Sequence, residues 1–167
     1  MSYIYRNYVV TPSVALYGSL SPDLLVANEQ SLIFASHAFL SRAAFHGAIL
    51  HVPMLFYSQV IEAVFATYQE GYTGFEDCQA LARAILESNW EYHIINNDDI
   101  LTMQQQFKTP SVQGDAEYLA IAQELQCPII TTQAHPLEAV GNLEVIQLET
   151  HVWASAGAIE DFPPNES

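Results

Sequence analysis

Apolar positions along the chain follow two different periods, and the alternation between them sets the expected order of elements. Tyr3 to Val10 is rich in Tyr, Ile and Val and is predicted as a first strand. Thr11-Pro12-Ser13 ends it with residues that suit a helix start, and Val14 to Leu20 is the predicted helix. Ser21-Pro22-Asp23 is a second start of the same kind, with helical pattern to about His46 and a stop at Gly47. Ala48 to Val52 is short, apolar and expected to be extended. From Pro53 a long helix is predicted to Glu70, with Gly71 beyond it, and Ile61, Val64, Phe65 and Tyr68 fall on one face. That face, like the aromatic residues generally, is expected to pack in the core.

Gly74 to Ser88 repeats the scheme, with Cys78, Leu81, Ala82 and Ile85 on one stripe. Trp90 to Ile95 is predicted as a strand. Asn97 is predicted to cap a helix from Asp98 to about Phe107, whose acidic first turn suits the helix dipole. Asp115 to Gln126 is a further helix, with Tyr118, Ile121, Ala122 and Leu125 on one stripe, broken by Cys127-Pro128. Ile129 to Thr132 has no polar alternation, as a strand buried on both faces would read. Pro136 to Val140 is a helical turn and Leu143 to Leu148 a last strand. Few, short, apolar strands alternating with helices predict a three-layer α/β/α sandwich around a short, mostly parallel sheet. Residues 1–150 form the expected single domain, and 151–167 an acidic, proline-containing tail.

Charge narrows the function classes. Nineteen acidic residues face four basic ones, for a formal charge of −15. Phosphate contacts need Lys or Arg, and Arg6, Arg42, Arg83 and Lys108 are scattered, so RNA is a disfavoured partner. The longest internal stretch without Asp, Glu, Lys or Arg, Ala43 to Ile61, contains His46, His51, Pro53 and Gln59, which argues against a membrane span. No secretory signal pattern opens the sequence, and Cys78 and Cys127 read as two buried thiols in a reducing cytoplasm.

In an open α/β sheet, ligands bind outside the carboxyl ends of the strands, so Thr11 and Thr132-Gln133 mark the expected site. At those places the sequence resembles the PIN domain family. Tyr8-Val9-Val10-Thr11-Pro12-Ser13-Val14 is similar to the family's opening, where an apolar strand ends in Asp, then a small residue and Ser. Pro53 to Ala63 resembles the second element, Gly114-Asp115-Ala116-Glu117-Tyr118-Leu119-Ala120-Ile121-Ala122 the third, and Cys127-Pro128-Ile129-Ile130-Thr131-Thr132-Gln133 the fourth, a strand closing on Thr-x-Asp. The four occur in order from about Tyr3 to Leu148.

The resemblance implies a metal-dependent ribonuclease fold, found among bacterial toxin–antitoxin pairs, that commonly dimerises. In it, three or four carboxylates hold Mg²⁺ or Mn²⁺, hard ions that take oxygen ligands, and the metal activates a water. This sequence departs from the pattern where it matters. Thr11, Gln59 and Gln133 stand at three of the four acid positions, and only Asp115 keeps the acid. Thr and Gln make hydrogen bonds but carry no charge to hold a dication. Asp115 is therefore the one candidate catalytic or metal-ligating residue, and it also suits the first turn of a helix as an ordinary acid. Ser13, Glu62, Thr131 and His135 are the supplementary candidates. Glu117 is expected to point well away from Asp115. The remaining histidines, His37, His46, His51, His93 and His151, form no metal-binding spacing, and Ser13, Ser36 and Ser58 no nucleophile elbow.

The expectation is thus a degenerate PIN-like protein without a cofactor that works by binding a protein; the acidic balance favours a basic partner, and an antitoxin-like peptide, an RNA-processing factor or a second copy of the chain are the candidates left open. The alternative is an active Mg²⁺- or Mn²⁺-dependent ribonuclease with an atypical site. The third possibility is a plain assembly subunit.

Overall fold

The structure is a computed structural model that describes residues 6–21, 27–106, 115–132 and 143–148. Strands β1 (Asn7–Val10), β2 (Ile49–Pro53), β3 (Trp90–His93), β4 (Ile129–Thr131) and β5 (Val145–Gln147) form one sheet in the order β3-β2-β1-β4-β5. All four pairings are parallel. Helices α1 (Pro12–Tyr17), α2 (Ala27–Phe45), α3 (Leu55–Gln69), α4 (Phe75–Leu86), α5 (Asn97–Gln106) and α6 (Asp115–Leu125) connect them. The expected α/β/α sandwich is what forms.

The pleat assigns the two faces. Tyr8 pairs with Leu50, Leu50 with Trp90 and Val52 with Tyr92, so these side chains share a face. Tyr8 meets Phe39 of α2 edge-on at 5.3 Å between ring centroids, and Phe56 of α3 lies 5.2 Å from Trp90. Such pairs add about 0.5–1.5 kcal/mol to their burial. The other face carries Asn7, Val9, His51, Glu91 and His93 and lies under α6, which packs against β1, β2 and β4 and against α5. Val9, Ile129 and Ile130 at the centre of the sheet are fully buried.

Three helices end the same way. Ala48 N–H bonds to Ala43 O and Gly47 N–H to Ala44 O after α2; Tyr72 N–H bonds to Thr67 O and Gly71 N–H to Tyr68 O after α3. These are paired terminal bonds that need a left-handed residue, and Gly47 and Gly71 supply it with φ of 67° and 81°. After α6, Cys127 N–H bonds to Ala122 O and the left-handed residue is Gln126, with φ of 49°.

Several expectations shift. Helix α3 begins at Leu55, because Pro53 closes β2. Its core face is Phe56, Val60, Val64 and Thr67; of the predicted face only Val64 is buried, while Ile61, Phe65 and Tyr68 are exposed. The apolar pattern goes almost all round this helix, and the sheet covers only one side of it. The α5 cap is Asn96, whose Oδ1 accepts from Asp98 N–H at 2.8 Å and Asp99 N–H at 3.3 Å, and not Asn97. The stretches 1–5, 22–26, 107–114, 133–142 and 149–167 lie outside the described residues, and with them most of the Ser21-Pro22-Asp23 start, the Pro136 turn and the tail.

Candidate functional site

The carboxyl edge of the sheet gathers the residues singled out by sequence. Thr11 follows β1 and Thr132 follows β4, two parallel neighbours, so both emerge at one edge. Thr11 is the N-cap residue of α1, with Pro12 at the first helical position. Its hydroxyl does not cap the helix. It donates instead to Ile130 O at 3.1 Å, the carbonyl that also accepts the Thr11 N–H. Thr132 donates to Ser13 Oγ at 2.8 Å, and Ser13 lies 3.2 Å from Thr11 Oγ1. Since the Thr11 proton is committed to Ile130, Ser13 is the donor in that contact. The result is one directed relay, Thr132 to Ser13 to Thr11 to the Ile130 carbonyl, which ties the ends of β1 and β4 together. Every hydroxyl proton in it has an acceptor on the protein.

A second contact links α3 with α6. The Tyr118 hydroxyl donates to Gln59 Oε1 at 2.6 Å. Tyr118 is buried in the first turn of α6, three residues after Asp115, and Gln59 lies half-buried on α3. Helix α6 leads back into β4, so its first turn lies at the carboxyl edge of the parallel sheet. Burial pushes the Tyr118 hydroxyl pKa far up, and the charges of Glu117 and then Asp115 push it further. The phenol thus stays a donor, and Gln59 has a fixed role as acceptor.

Glu117 is the residue that sequence reasoning set aside. It acts on Tyr118 more strongly than Asp115 does, and partial burial raises its own carboxyl pKa. Helical spacing alone separates Asp115 from Glu117 by more than half a turn; that both flank Tyr118 was not visible from it. Glu62 is exposed on α3, and Thr131 is buried in β4, where its carbonyl accepts from Leu148 N–H at 2.8 Å. Gln133 and His135 lie outside the described residues. No group of three or more His, Cys, Asp or Glu side chains that could hold a metal occurs among the described residues. The groups gathered at this edge are the hydroxyls of Thr11, Ser13, Thr132 and Tyr118 and the amide of Gln59, with Asp115 and Glu117 as the carboxylates of the first turn of α6.

Cys78 and Cys127 are both free thiols and buried. Burial raises the pKa of each, that of Cys127 to about 11 against the opposing effect of a backbone hydrogen bond from Val9. Neither is a nucleophile at neutral pH.

A different polar group lies under α6. His51 of β2, only 6% exposed, has its Nε2 2.8 Å from Asn7 Oδ1 and its Nδ1 2.7 Å from Nε2 of His93 on β3. The three residues share a sheet face, and no local spacing reveals it, because the contacts span three strands.

On the outer surface, α3 carries Met54 (just before it), Tyr57, Ile61, Phe65 and Tyr68, all exposed. At 3.6 residues per turn they fall within an arc of about 80°. Phe65 lies 5.6 Å from Tyr68, and Tyr68 5.6 Å from Phe75 at the start of α4. Tyr57 is 51% and Phe65 42% exposed, so the stripe is continuous apolar surface.

No family model matches this chain, and neither does any curated protein. Among solved structures, the crystal structure of PAE2754 from Pyrobaculum aerophilum is similar, with a TM-score of 0.56 and 14% identity over 83% of each chain. At that identity the similarity concerns the fold. No helix among the described residues is long and apolar enough to cross a membrane.

Proposed function

We propose that this chain is a PIN-like domain that acts by binding another protein and not by metal-dependent cleavage. The observation that carries this reading is the state of the family's acid positions. Thr11 commits its proton to the Ile130 carbonyl, and Gln59 accepts from Tyr118. Both sites are neutral and already hydrogen-bonded within the protein. A dication there would have to displace those bonds, with Asp115 as the one carboxylate at a family position.

The α3 stripe supports the binding half of the reading. Contiguous apolar patches of this kind mark interaction sites on soluble domains. Glu62 lies beside it on α3, Glu76 and Asp77 follow Phe75 on α4, and the helix has no cation of its own. The partner that fits is a segment with an apolar face and basic flanks; a second copy of this chain is the competing occupant.

The test is a melting-temperature titration with Mg²⁺ and Mn²⁺. An ion held only by the folded state raises the melting temperature with concentration. The expected result is no site-specific rise up to millimolar metal, and no RNA cleavage that Asp115→Asn removes. A rise and a cleavage activity that both disappear in Asp115→Asn would establish the ribonuclease alternative instead. Light scattering of the wild type against Phe65→Lys reports whether the stripe joins two copies.

A further inference from the structure

We propose that Asn7, His51 and His93 form a proton-sensitive latch that holds the edge strand β3 to the sheet while the histidine pair carries at most one positive charge, and releases it in acid when the pair takes a second. The inference is independent of the binding reading above.

The argument starts from the number of protons the links can hold. His51 bonds through both ring nitrogens, Nε2 to Asn7 Oδ1 at 2.8 Å and Nδ1 to His93 Nε2 at 2.7 Å. The carbonyl oxygen of Asn7 only accepts, so His51 Nε2 carries a proton. In the neutral pair His51 Nδ1 is then a lone pair, and His93 Nε2–H donates to it. A first added proton can sit on His93 Nδ1, outside the link, and all the hydrogen bonds survive. A second must go to His51 Nδ1. That would aim two N–H groups at each other across 2.7 Å, so the link has to break.

The surroundings make the second proton costly and the break consequential. Burial, and then the charge of His93, lowers the His51 pKa, against a smaller opposing effect of Glu91. The charged groups around the pair are Glu91 on β3, Asp99 on α5 and Glu124 on α6; the last two line, with His93, an open cavity of about 410 Å³. Asp99 and Glu124 border the cavity that the His93 ring would enter once it is released. Among the described residues, strand β3 is the sheet edge and pairs with β2 alone. A link lost there is not replaced by a neighbour on the far side.

The sign of the pH dependence follows. A histidine whose folded-state pKa lies below its unfolded value contributes stability that is fully present above the unfolded value of about 6.5 and is lost as pH falls from there through the lower folded value.

The experiment uses the full chain, with histidine side-chain ¹⁵N spectra and amide exchange followed from about pH 7.5 to about pH 4.5. His51 is expected as the Nε2–H tautomer at neutral pH and to protonate at lower pH than a free histidine standard. After correction for intrinsic exchange, protection of the β3 amides is expected to fall by up to about tenfold per pH unit below that point. Amides of β1 and β4 are expected to hold. His93→Gln should abolish the extra slope, because a glutamine offers either N–H or C=O to His51 and tolerates both protonation states. His51→Gln should abolish it for the same reason, and either variant suffices if the other fails to fold. A His51 that protonates with or before the standard, or a β3 slope that persists in the folded variant, would overturn the latch.

Discussion

The Tyr118 hydroxyl donates to Gln59 Oε1 at 2.6 Å, and this bond joins two helices that no salt bridge connects among the described residues. It is short for a neutral hydrogen bond and half-buried, which sets the size of its effect. Tyr118→Phe removes the donor and leaves the glutamine oxygen to whatever water reaches it. The expected loss is about 0.5–1.5 kcal/mol in urea unfolding. Loss of less than a few tenths would mean that water replaces the phenol without cost.

Glu117 gives a pH-dependent counterpart. Its folded-state carboxyl pKa is raised by burial, so the fold favours the protonated acid. The stabilising difference is fully present below the unfolded value of about 4.5 and is lost as pH rises through the folded value. Glu117→Gln should therefore melt with the wild type near pH 4. It should gain on the wild type as pH rises, then run parallel. Melting curves at half-unit pH steps decide this, and an equal gap at every pH would show that the carboxyl does not sense the fold.

Gln126 occupies the left-handed position that Gly47 and Gly71 fill after the other helices. A side chain there costs roughly 1 kcal/mol against glycine. Gln126→Gly is expected to stabilise by somewhat less, about 0.5 kcal/mol, since glycine also frees the unfolded chain. Thermal unfolding of the single variant checks the direction.

Gly18 has a different reason to be glycine. Its φ of −69° suits any residue. A Cβ there would clash with the Leu40 side chain of α2 and lie 2.9 Å from the Val14 carbonyl. Leucine can turn away, but the backbone oxygen cannot. Gly18→Ala is expected to cost about 1–3 kcal/mol by overpacking, read as a lowered melting temperature. Little change would show that α1 can slide away from α2.

What could be read from the sequence was what local pattern controls. Gly47 and Gly71 mark the ends of α2 and α3 because a left-handed turn asks for glycine, and the apolar run at Ile129-Ile130 marks a strand covered on both faces. Thr11, Gln59 and Asp115 were likewise found at the elements expected. The one-residue slip from Asn97 to Asn96 arose because two adjacent asparagines offer the same chemistry, and only the backbone decides which one caps. The orientation of α3 was not legible: its apolar residues leave no polar face to mark the outside, and which arc is buried depends on where the sheet lies. The His51–His93 pair was invisible for a similar reason, since 42 residues separate the partners and strand register brings them together.

The exposed arc of α3 also bears on how the molecule behaves in concentrated solution. An uncovered row of Tyr57, Ile61, Phe65 and Tyr68 invites like molecules to stick, yet each carries a formal charge of −15 and repels its neighbours at long range. That repulsion reaches about 10 Å at 0.1 M salt and about 3 Å at 1 M. Ionic strength therefore sets how closely two molecules approach, and salt that would leave the core untouched brings these hydrophobic rows within touching distance.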